Sequence, residues 1–192
     1  SSNFSETTTI YGGNRNFIEG INNVIRQYSP QVIGIATTCL AETIGEDVNA
    51  LVAEYKQANE ENPLLPVFIH ASTPSYQGSH MDGFHEAVYA AVATLADKNT
   101  KSGAHINLFP GFVSPADLRN LKEMLTVSGI EYVLLPDYSA SLDNPFWKDY
   151  HLVPEGGTPL NHIRMTGGAR ASIEYGAQLD AGSGTSRHPD VI

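Results

Sequence analysis

The sequence predicts an α/β fold: a parallel sheet flanked by helices, with an irregular C-terminal part. Three observations predict it. Short β-branched runs alternate with stretches whose apolar residues recur at helical spacing. The breaks between them are short and carry Gly, Pro and Asn. The run from Val32 to Ala36 is continuously apolar, as in a strand covered on both faces.

Taken in order, Thr7 to Tyr11 is β-branched and aromatic and is punctuated by Gly12-Gly13-Asn14, a strand followed by a tight turn. From Asn14 the residues Phe17, Ile18, Ile21, Val24, Ile25 and Tyr28 share one helical stripe, which Pro30 ends. The Val32–Ala36 strand follows and breaks into Thr37, Thr38 and Cys39. Val48, Leu51, Val52 and Tyr55 then lie on the face of a helix running through Lys56. Asn62-Pro63 precedes a third strand, Val67-Phe68-Ile69. The polar stretch Ala71 to His80 reads as a loop. The next helix buries Phe84, Ala87, Val88, Ala91, Val92 and Leu95, and Ile106 to Phe109 is a fourth strand.

Ser114-Pro115-Ala116-Asp117 combines an N-cap residue, a Pro at the first helical position and an acid in the first turn. That helix buries Leu118, Leu121 and Leu125, stops at Gly129 and delivers the strand Tyr132 to Leu135. From Ser139 to Gly168 no period persists, so the expectation is a surface excursion. The organisation expected is an α/β domain over 1–137, an irregular excursion over 138–176 that leads towards a following domain, and a flexible tail over 177–192.

Composition narrows the function. A formal net charge of −10 argues against nucleic acid or an anionic membrane as partner. No apolar run approaches the roughly 20 residues of a membrane span. One cysteine in 192 residues precludes an intramolecular disulfide framework and suits a reducing cytoplasm. The chain has no initiator Met and no apolar leader, and reads as a piece of a longer protein. G-x-S-x-G, G-x-G-x-x-G and the P-loop are all missing, so triad hydrolysis and motif-based nucleotide binding have no support.

Two loops at strand ends remain as candidates, Thr37-Thr38-Cys39 and Thr73-Pro74-Ser75, and a parallel sheet brings such loops to one edge. A lone cysteine is more often a small buried hydrophobe, and a serine behind a proline is more often a turn former. The alternative is that Cys39 and Ser75 act as metal ligands, with nearby N–H groups and a following helix N-terminus favouring the thiolate. His70, His80 and His85 flank the second loop without zinc spacing. Glu42, Glu46 and Asp47 fit the start of a helix, through its macrodipole, better than an acidic cluster.

Four strings carry a resemblance: Ile10-Tyr-Gly-Gly-Asn14, Thr37-Thr-Cys-Leu-Ala-Glu-Thr-Ile-Gly-Glu-Asp47, Thr73-Pro-Ser-Tyr-Gln-Gly-Ser-His80 and Asn107-Leu-Phe-Pro-Gly-Phe112. In order and separation they resemble the beta subunit of nitrogenase component 1, from the first residue to about Gly176. The resemblance implies a Rossmann-like domain of a longer subunit in an alpha2beta2 heterotetramer with the alpha subunit. It implies that Cys39 ligates iron of the [8Fe–7S] P-cluster shared with the alpha subunit, and that Ser75 can ligate the oxidised cluster. Tyr11 falls where the family has an aromatic residue that meets the Fe protein, which acts with ATP. The implied activity is electron transfer for reduction of dinitrogen to ammonia. The isolated chain, lacking the upstream cysteines, is expected to hold no cluster and to be inactive. Alternatives are a cofactor-assembly scaffold, whose beta-like chain usually has glycine at the Cys39 position and no Ser75 equivalent, a nitrogenase-like reductase of another substrate, or a non-functional fragment.

Overall fold

The computed structural model describes residues 13–97, 103–143, 149–153 and 156–176. The strand expected at Thr7 to Tyr11, Tyr11 itself and the tail over 177–192 lie outside the described residues. The chain forms two compact units, Ser1–Gln77 and Gly78–Ile192. The division falls inside the span expected as one domain.

In the first unit, helix α1 (Asn14–Tyr28) leads into strand β1 (Val32–Thr37), and a short helix α2 (Cys39–Thr43) follows. Helix α3 (Val48–Ala58) and strand β2 (Val67–Ser72) complete it. The strands pair in parallel, in register from Val32 with Val67 to Thr37 with Ser72. Residues paired in register face the same side, so Ile33 and Phe68 meet one apolar layer. Ile21 of α1 and Val48, Val52 and Tyr55 of α3 form that layer. Tyr55 meets Phe68 edge-on, with ring centroids 5.7 Å apart. The opposite face differs from the expectation of a strand covered on both sides. Gly34 and Ala36 are exposed. They bury so little area that an apolar run containing them demands no second layer.

In the second unit, helix α4 (His80–Leu95) precedes strand β3 (Ile106–Phe109), helix α5 (Pro115–Val127) and strand β4 (Tyr132–Leu134). A short helix α6 (Leu160–Met165), a 3₁₀ turn (Thr166–Gly168) and strand β5 (Ala171–Glu174) close it. The sheet order is β4-β3-β5, all parallel. Here both faces are covered. Phe109 packs with Val88, Val92 and Leu135, whereas its neighbour Leu108 packs with Leu118, Leu125 and Leu134. Helix α4 buries Ala90 rather than the expected Ala87, which is exposed.

Two expectations need correction. The ladders among the described residues form two sheets, not one continuous sheet. Strand-helix alternation is a local signal, and it does not say which strands share hydrogen bonds. The excursion expected over 139–168 also contains α6 and leads into β5. Neither element carries a period long enough to read. Helix α6 has six residues and buries none of them fully. Strand β5 is held instead by its ladder to β3 and by Asn107, which is fully buried. The Asn107 amide donates to the Thr166 carbonyl at 2.8 Å and to the Ser172 hydroxyl at 3.0 Å.

Candidate functional site

Both predicted ligands sit just beyond the carboxyl ends of paired parallel strands. Cys39 opens α2 one residue after the Thr37–Thr38 turn, and Ser75 lies three residues past β2. The register that ends at Thr37 and Ser72 therefore brings the two loops together. The Cys39 Sγ and the Ser75 Oγ are 2.7 Å apart, and the Ser75 backbone N–H donates to the same sulfur at 3.3 Å. Cys39 is half-buried and Ser75 is exposed.

Hydrogen bonds from the Ser75 hydroxyl, and then from its backbone N–H, hold the Cys39 thiol below its ordinary range. The helix N-terminus expected to assist is a minor partner. Helix α2 has five residues, and Thr38 makes no side-chain cap bond.

A second layer of polar contacts lies beneath the pair. The Glu42 Oε1 accepts a hydrogen bond from the Thr37 hydroxyl and another, at 2.7 Å, from the Ser72 hydroxyl. These hydroxyls hold the Glu42 carboxyl below the usual carboxylate range. The Thr73 hydroxyl donates to the Thr37 carbonyl at 2.9 Å, and Thr43 closes the α2 turn on the Cys39 carbonyl at 2.7 Å. The acids of this segment thus divide their roles. Asp47 caps α3 through the Ala50 N–H, as its place before a helix suggests. Glu46 accepts from the Gly13 N–H at 2.6 Å and walls a cleft of about 160 Å³ beside Thr38. Glu42, read from sequence only as a residue favouring a helix start, ties two strand ends. Thr37 lies five residues away and Ser72 thirty, so local pattern held no sign of the tie between strands.

The histidines do not assemble a site. His70 bonds Asn49 at 3.1 Å, His80 meets Phe112 edge-on, and His85 lies 3.3 Å from Glu174. Among the described residues no group of three or more His, Cys, Asp or Glu could hold a metal ion. Cys39 and Ser75 are thus two donors at one edge. A thiol with a lowered pKa suits iron as a soft ligand, and the adjoining hydroxyl supplies a harder one. Two donors are fewer than an iron–sulfur cluster requires, so the pair can form only part of such a donor set.

The family model described as nitrogenase component 1 type oxidoreductase matches residues 1–184. The chain belongs to this family. It is 35% identical over 177 residues to the nitrogenase molybdenum-iron protein beta chain of Clostridium pasteurianum, covering 92% of this chain and 38% of that one. It is 30% identical over 176 residues to the nitrogenase iron-molybdenum cofactor biosynthesis protein NifN of Nostoc sp., covering 91% and 39%. A solved structure described as nitrogenase Cp1 at pH 6.5 superposes with a TM-score of 0.83 at 36% identity, over 89% of this chain and 37% of that one. The chain therefore spans between a third and two fifths of the length of these relatives.

Proposed function

We propose that this chain is part of a nitrogenase component 1 beta subunit, in which Cys39 and Ser75 supply ligands to the P-cluster at the junction with the alpha subunit. The observation that carries the reading is the convergence of one thiol and one hydroxyl, 2.7 Å apart, at the carboxyl ends of β1 and β2. Such a cluster, when bound, passes electrons onward for reduction of dinitrogen. The chain's own residues do the holding. The Ser75 hydroxyl and N–H favour the Cys39 thiolate, the ligating form of the residue. Leu40 and Tyr76, which follow the two ligands, are 44% and 59% exposed, an apolar collar suited to burial against a partner subunit. Tyr11, outside the described residues, is the proposed contact with the Fe protein on the grounds of its sequence position.

The test is Cys39→Ala in a full-length beta chain co-expressed with its alpha partner, followed by iron per complex and the cluster's redox spectrum. Loss of iron with assembly intact supports ligation, and an unchanged cluster overturns it. For Tyr11→Ala the measurement is activity against Fe-protein concentration. The titration should shift to higher Fe-protein concentration with the cluster spectrum unaltered.

The similarity to NifN favours a second reading, a cofactor-assembly scaffold in the cytoplasm. The presence of Cys39 together with Ser75 supports the beta subunit instead.

A further inference from the structure

We propose that Glu42 is the positioning residue for the Cys39–Ser75 pair: its carboxylate clamps the last rung of the β1–β2 ladder and so fixes the loop bearing the thiol against the loop bearing the hydroxyl. The inference rests on the reading of Cys39 and Ser75 as paired ligands.

Thr37 and Ser72 are register partners and form that last rung. Their side chains face the same side, and both hydroxyls donate to one oxygen, Glu42 Oε1. Glu42 lies one helical turn beyond Cys39, and Ser75 lies three residues beyond Ser72. One carboxylate oxygen therefore connects the turn that begins with the thiol to the strand that delivers the hydroxyl.

Something tertiary has to hold this turn. A helix of five residues has no stability of its own, and α2 lacks a side-chain cap at Thr38. The other side-chain ties here are a hydrogen bond from the Thr73 hydroxyl to the Thr37 carbonyl at 2.9 Å and two longer ones at the Thr37 hydroxyl, from the Thr73 N–H at 3.4 Å and to the Ala71 carbonyl at 3.5 Å. Without the carboxylate, α2 would keep its peptide link to β1 but lose its bridge to β2. The Cys39 sulfur would then no longer be held against Ser75. Because both hydroxyls donate to a single oxygen, an amide oxygen at the same place serves as acceptor, whereas a methyl group does not.

Cys39 is the single cysteine of the sequence, which permits a test without metal. In the full chain, Ser75→Cys places a second thiol opposite the first, and the equilibrium for closing a disulfide against glutathione reads how firmly the pair is held. Adding Glu42→Ala should lower that equilibrium constant about tenfold, the scale of losing charge-assisted hydrogen bonds. Glu42→Gln should restore it to within about twofold, and Ser72→Ala, which removes one donor at an exposed position, should lower it by about threefold. Circular dichroism checks that each variant is folded. If Glu42→Ala does not fold, the Ser72→Ala and Glu42→Gln values decide. An equilibrium unchanged by Glu42→Ala or Ser72→Ala, or not restored by Glu42→Gln, overturns the proposal. So does a Ser75→Cys chain that closes no disulfide, because the pair is then not held in contact. None of these outcomes depends on iron, so failure of the clamp is distinguishable from failure of the ligand reading, which the iron content of Cys39→Ala decides.

Discussion

Asn107 shows how much one polar residue inside a strand can carry. It is fully buried in β3, with Leu108 and Phe109 beside it in the core, and its amide holds the Thr166 carbonyl and the Ser172 hydroxyl. Asn107→Ala should therefore cost about 2 kcal/mol, since the buried Thr166 carbonyl and the half-buried Ser172 hydroxyl lose their donor and a cavity opens. Urea unfolding of the two proteins would measure it, and a loss near zero would mean the acceptors find other donors. Nothing in Ile106-Asn-Leu-Phe109 shows this residue to be buried or bonded. The same limit applies at the candidate site. That the loops of Cys39 and Ser75 lie at one edge was legible because each loop follows a strand signal and each residue sits in a recognisable string. Glu42 was not, because its partner Ser72 is 30 residues away and the tie exists only once the strands are in register.

At the scale of elements, helix ends were the most legible feature. Ser114 accepts from the Asp117 N–H at 3.1 Å with Pro115 at the first helical position, as the sequence predicts for α5. Ser114→Ala should cost about 1 kcal/mol in thermal or urea unfolding, whereas Ser114→Thr, which keeps both the acceptor for the Asp117 N–H and the donor to the Asp117 carboxylate, should cost much less. The short α6 and β5 were illegible for the opposite reason: they are fixed by neighbours rather than by any period of their own. The α5 helix is also tied to the segment after β4, where the Lys122 ammonium meets the Asp137 carboxylate at 2.7 Å. Burial raises the Asp137 pKa, but hydrogen bonds from Lys122 and Ser139 outweigh it and leave the group below its ordinary 3.8. The folded pKa is thus the lower one. The contribution to stability is fully present above the unfolded value and is lost as pH falls through the folded one. Asp137→Asn should therefore be less stable than the parent by about 1 kcal/mol near neutrality, allowing for the partial exposure of Lys122. In acid unfolding curves the two proteins should converge once both states of Asp137 are protonated.

For the whole molecule, α/β alternation predicted the fold class, and each compact unit builds it around its own core. What alternation could not predict was the partition of the strands into ladders, because pairing is a long-range property. The ligand inventory of the whole chain leads to the last prediction. Clusters of the P-cluster kind are held mainly by several thiolates, and this sequence offers one. The Ser75 hydroxyl adds a single oxygen beside it. Imidazoles do not complete the set, since His70 and His85 already engage Asn49 and Glu174 and no three-residue group forms among the described residues. The 192-residue chain, purified anaerobically and supplied with iron and sulfide, should therefore remain far below cluster stoichiometry and reduce no acetylene. Its half-buried thiol should instead be open to oxidation or to disulfide formation between copies, which non-reducing electrophoresis would reveal. Uptake of a full complement of iron and labile sulfide by the chain alone would mean that ligands other than Cys39 and Ser75 build the site.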